Sequence, residues 1–118
     1  MQLEFYWDAA GDARARCKGP GQAVAGFLES DLQDSTSAAH EILRALDEVE
    51  SGRVSSWERT GNAHTLTLSP KGAAVRDENA ENAEDARPYH LSLPALREIV
   101  ADWVSFLDSG RDIGGRGH

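Results

Sequence analysis

From Val54 to Arg76 the chain reads as three strands joined by two turns. His64, Leu66 and Leu68 alternate with Thr65 and Thr67, the period-two signature of a strand with one buried face. Thr60-Gly61-Asn62 falls between two β-prone runs and predicts a tight hairpin turn with positive φ. Ser69-Pro70-Lys71-Gly72 predicts the second turn, with Pro presetting φ and Gly free to go left-handed. At the N-terminus Leu3, Phe5 and Trp7 alternate with polar residues, and Ala13–Cys17 reads as the antiparallel return strand with Arg14 and Arg16 outward. After the Gly19-Pro20-Gly21 break, the apolar run Ala23–Leu28 reads as a short third strand.

Two segments carry helical spacing instead. Ile42, Leu43, Leu46 and Val49 form one stripe, with N-cap candidates at Asp34–Ser37 and a C-terminal glycine at Gly52. Leu96, Ile99, Val100, Trp103, Phe106 and Leu107 form a second stripe, with Pro94 in its first turn and Gly110 predicted to end it. Between them Tyr89–Leu93 resumes a short strand, while 77–87 has no large apolar residue and predicts an acidic surface loop.

These elements predict an α+β fold in the order β-β-(β)-α-β-β-β-(β)-α. An antiparallel meander of five to six strands carries two amphipathic helices on one face. Residues 1–110 form one domain, and 111–118 form a flexible glycine-rich tail. Trp7, Trp57 and Trp103 come from separate elements, and at least two are expected to meet in the core or along one edge of it.

Composition narrows the function classes. Twenty acidic against twelve basic residues give a net charge of −8, which repels phosphate backbones and argues against direct nucleic-acid binding. The same charge favours a basic partner if there is one. A single cysteine leaves no internal disulfide and fits a reduced, cytoplasmic setting. No apolar run is long enough for a membrane span, and the N-terminus reads as a strand, not a secretion signal.

Candidate chemistry is sparse. His40, His64, His90 and His118 show no metal-ligand spacing, so no metal is expected, and no phosphate-cradling glycine motif occurs, so no cofactor is expected. Cys17 follows two arginines, yet a small residue on the inner face of a strand is the simpler reading. Within Ser56-Trp57-Glu58-Arg59, alternation puts Trp57 and Arg59 on one face, with Trp57 favoured as core over a partner-binding anchor.

Leu3-Glu4-Phe5-x-x-Asp8, Gly21-Gln22-Ala23-Val24-Ala25-Gly26, Ser56-Trp57-Glu58-Arg59-x-Gly61-x-x-His64-Thr65-Leu66 and Val75-Arg76 appear in that order. With Leu91-Ser92-Leu93 and the closing aromatic helix, they resemble the YacL-like family of small bacterial proteins. The resemblance covers most of 1–107, and the acidic stretch Asp77–Asp85 matches the family's acidic segment. Gly19-Pro20-Gly21 and the glycine-rich tail depart from the pattern. The resemblance implies no established activity and no catalytic residues.

Two functional expectations follow. The first is a non-enzymatic protein-binding module, in its sharpest form an immunity-type inhibitor of a basic bacterial toxin such as a nuclease. Its acidic surface would be Asp47, Glu48 and Glu50 on the first helix with Glu78, Glu81, Glu84 and Asp85 in the loop. The second is a small hydrolase or transferase whose site assembles where Arg14, Arg16, His64 and Arg76 approach across strands; a housekeeping role of unknown type stands behind both. A homodimer stays open, since an apolar open sheet face would call for a second copy.

Overall fold

The computed structural model describes residues 2–82 and 86–116, with the backbone alone for Pro20 and 111–116. The chain is α+β. β1 (Leu3–Trp7) and β2 (Ala13–Cys17) form an antiparallel hairpin with Phe5 opposite Ala15. Asp8 closes its turn by accepting the N–H groups of Ala10 and Asp12 on Oδ1.

The next segment corrects the predicted third strand. Ala23–Leu28 is helical: α1 (Gln22–Gly26) follows a single 3-10 turn at Gly19–Gly21 and runs straight into a π turn, Phe27–Leu32. The buried residues Val24, Phe27, Leu28, Asp31 and Leu32 recur at helical spacing. Pro20 sits at the start, where a missing N–H costs nothing. Because this helical segment contacts both β2 and β5, it lies between the hairpin and the other strands. The expected single meander is therefore two sheets, of two and four strands.

α2 (Thr36–Glu50) begins where Ser35 Oγ accepts the Ala38 N–H at 3.1 Å, and Gly52 follows its end at φ +82°. Then β3 (Trp57–Thr60), β4 (His64–Ser69), β5 (Gly72–Asp77) and β6 (Tyr89–Leu91) pair antiparallel in chain order. Trp57 faces Leu68 and Arg59 faces Leu66 across β3 and β4; Leu66 faces Val75 and Leu68 faces Ala73 across β4 and β5. Those side chains line the core face, against which α1, α2 and α3 (Leu93–Arg116) pack. Trp57 is half-buried against this core.

α3 is capped by Ser92, whose Oγ accepts the Ala95 N–H at 3.1 Å. It does not stop at Gly110, the residue predicted to end it: the backbone stays helical to Arg116. Gly110 instead makes room for Trp7, since a Cβ there would stand 2.6 Å from the indole Cε2. Trp7 stacks on Phe106 at 4.8 Å between ring centroids, and Phe5 meets Trp103 edge-on at 5.1 Å. Trp7 and Trp103 thus share one aromatic cluster that fastens the hairpin to α3.

Candidate functional site

The densest polar cluster in the interior joins the π turn to the β3–β4 hairpin. Asp31 is the only buried carboxylate among the described residues. Its Oδ1 accepts the Ala63 N–H at 3.2 Å and meets His64 Nδ1 at 3.1 Å; its Oδ2 accepts the His64 N–H at 2.9 Å. Asn62 adds a bond from Nδ2 to the Ser30 carbonyl at 2.9 Å. A side-chain exposure of 0% for Asp31 and 6% for His64 makes these bonds strong and their loss costly.

Two glycines permit this approach. A Cβ on Gly61 would stand 2.9 Å from the Asp31 Cγ, and one on Gly26 would stand 3.0 Å from His64 Nε2. The role expected for Gly61-Asn62 was conformational, but neither residue takes positive φ. Gly61 serves close packing instead, letting the turn descend onto the carboxylate.

A bond from Nδ1–H to Asp31 leaves the lone pair of neutral His64 on Nε2. That edge of the ring lies against Gly26, and both residues line a cleft of about 1030 Å³. The His64 side chain is only 6% exposed, so the ring meets the cleft by a narrow margin beside Gly26. Asp77, Asn79, Glu81, Ser30, Arg87 and Tyr89 also line it. A carboxylate-oriented imidazole in this setting can accept a hydrogen bond from a ligand or take a proton.

The structure distributes the predicted acidic surface over two places. Asp47 and Glu50 both pair with Arg97, fastening α2 to α3, and Arg97 is held above its ordinary pKa first by the hydrogen bond to Glu50. Glu50 borders the β4–β5 turn at Pro70, Lys71 and Gly72, and Glu48 is half-buried on the same helix. Glu78 and Glu81 belong to the opposite end of the sheet, where the Glu78 N–H reaches the Ala63 carbonyl and Glu81 lines the cleft. Six-residue β4 separates these ends by about 17–20 Å. Glu84 and Asp85 lie outside the described residues.

The alternative site does not assemble. Arg14 pairs with Glu29 at 3.0 Å, Arg16 with Glu4 at 2.8 Å, and Arg76 with Glu78, and in each case the hydrogen bond to that carboxylate is the main reason the guanidinium pKa is raised. Arg14 and Arg16 stand on the hairpin, Arg76 on β5, and His64 alone of the four lines the large cleft. Cys17 is buried on the inner side of β2, and His40 and His90 are exposed. Sequence reasoning missed Asp31, whose signal was its place in the helical series from Val24 to Leu32.

Residues 1–93 match the model of the Uncharacterised protein family (UPF0231). The chain belongs to this family. It is similar to the UPF0231 protein YacL of Salmonella typhimurium and of Salmonella enteritidis PT4, each 24% identical, with 91% of this chain and 98% of the relative covered. No solved structure matches it. The match takes in Asp31, His64, Gly26 and Gly61, so the whole clamp falls inside the part that defines this UPF0231 chain.

Proposed function

We propose that this UPF0231 protein is a non-enzymatic binding module that receives a basic segment of a protein partner in the His64 cleft. One observation carries the reading. His64, Asp77 and Glu81 line one cleft beside Arg87 and together offer acceptors suited to the N–H groups of an arginine or lysine, Asp77 having a second oxygen besides the one that accepts the Asn79 N–H. A net charge of −8 would draw such a partner in and speed the encounter. The immunity-type inhibitor of a basic toxin is the sharpest form of this reading, with carboxylates in place of nucleic-acid phosphates. Glu78 stands beside the cleft, whereas Asp47 and Glu50 pair with Arg97 at the other end of the sheet.

The test is capture from the native host on tagged protein at low salt, identified by mass spectrometry. A basic protein retained by the wild type, released by high salt and lost from Asp77→Asn/Glu81→Gln supports the proposal. The Asp47→Asn/Glu50→Gln protein should retain it. Equal retention by both double variants, or none by the wild type, refutes the assignment. A basic nuclease encoded beside the gene would then be assayed for inhibition.

A second reading has its own support. The Asp31–His64 pair orients an imidazole at a cleft, which is how a general base is presented in hydrolases. Turnover of ester, amide or phosphoester probes that disappears in His64→Gln would favour it over the binding module.

A further inference from the structure

The hairpin β1–β2 has one covered edge and one bare edge. The Ala15 N–H points away from β1 and donates to Glu29 Oε2 at 3.0 Å, so β2 is capped from the π turn. That direction makes Phe5–Ala15 a non-hydrogen-bonded pair, and the Asp8 N–H bond to the Asp12 carbonyl agrees with the same alternation. The N–H and C=O groups of Leu3, Phe5 and Trp7 therefore point out of the hairpin, and no hydrogen bond between them and any other described residue is present. The large apolar side chains that remain exposed among the described residues, Tyr6 at 37% and Trp7 at 41%, are consecutive on this strand.

We infer that β1 pairs antiparallel with β1 of a second copy of this chain, joining two hairpins into one four-stranded sheet. Two-fold pairing centred on Phe5 sets Leu3 against the second copy's Trp7 on one face and Glu4 against its Tyr6 on the other. Each Arg16 lies 5.0 Å over its own Tyr6 ring and pairs with its own Glu4 at 2.8 Å, so each Glu4 meets a tyrosine flanked by a compensated arginine and no like charges are opposed. An alternative partner strand would need this same charge alternation, which the chain supplies for itself. Five residues of edge make a small interface, so the dimer is weak and concentration-dependent.

Amide exchange read by NMR, with sedimentation on the same samples, tests this. Leu3, Phe5 and Trp7 amides should slow about tenfold between micromolar and millimolar protein as dimer appears. Tyr6→Glu, folded by circular dichroism, should remove both changes by opposing two carboxylates, and Glu4→Arg/Tyr6→Glu should restore them. Fast exchange at every concentration overturns the inference. So does slow exchange independent of concentration, which would mean that the chain covers its own edge, or a dimer that leaves these amides unprotected.

Discussion

Asp31→Asn keeps the shape of the clamp and removes one acceptor, which makes its cost calculable. Two carboxylate oxygens take three N–H groups: Ala63 N–H and His64 Nδ1 on Oδ1, and the His64 N–H on Oδ2. An asparagine amide in the place of Oδ2 leaves the buried His64 N–H facing another donor; in the place of Oδ1 it orphans the Ala63 N–H and obliges the His64 ring to accept at Nδ1. The better orientation still loses one satisfied buried donor, about 1–3 kcal/mol. For a chain of 118 residues, about 2 kcal/mol corresponds to a fall in Tm of roughly 6–10 °C. Urea unfolding followed by circular dichroism and tryptophan fluorescence measures it, with an unchanged m value showing that the denatured state is unaltered. A cycle with His64→Gln should give a coupling of about 0.5–3 kcal/mol. A loss below about 0.5 kcal/mol for Asp31→Asn, within the range of ordinary surface changes, would refute the reasoning.

The neighbouring contacts lead to further tests. Gly110→Ala would ordinarily stabilise a helix interior by about 1 kcal/mol, but here it should destabilise and shift tryptophan emission, because the new methyl displaces the Trp7 ring. In a Trp7→Ala background the same change should stabilise; thermal unfolding of the four proteins decides. Gly61→Ala should unfold at lower temperature than wild type by the loss of the Asp31 contacts, about 2 kcal/mol or more. Arg97→Met should cost under about 1 kcal/mol, and less in high salt, because its ion pairs with Asp47 and Glu50 are solvent-exposed.

Much of the fold is legible in residue spacing. The β3–β5 meander follows the alternation of His64, Leu66 and Leu68, and α2 and α3 follow their apolar stripes and the caps at Ser35 and Ser92. Ala23–Leu28 was read wrongly because a short continuous apolar run satisfies both periods; including Asp31 and Leu32 in the window resolves it as helix. Gly110 misleads for a related reason. A glycine near the end of an apolar stripe reads as a cap, while the Trp7 ring that requires it lies over a hundred positions away in the chain, beyond any local pattern. The clamp was hidden likewise, since Asp31 and His64 sit on elements whose contact depends on Gly26 and Gly61 together. Acidic residues were visible as a group, but their division between an Arg97 network and the His64 cleft is set by tertiary packing.

The central claim is that His64 Nε2 and the neighbouring carboxylates form one receptor for a basic group. The most direct measurement is the long-range ¹H–¹⁵N spectrum of the His64 imidazole during titration with an oligo-arginine peptide at low salt. The account predicts a saturable shift at Nε2, abolished by Asp77→Asn/Glu81→Gln and retained in Asp47→Asn/Glu50→Gln. An unmoved Nε2 resonance while the peptide binds, or binding lost only when Asp47 and Glu50 are neutralised, would contradict it.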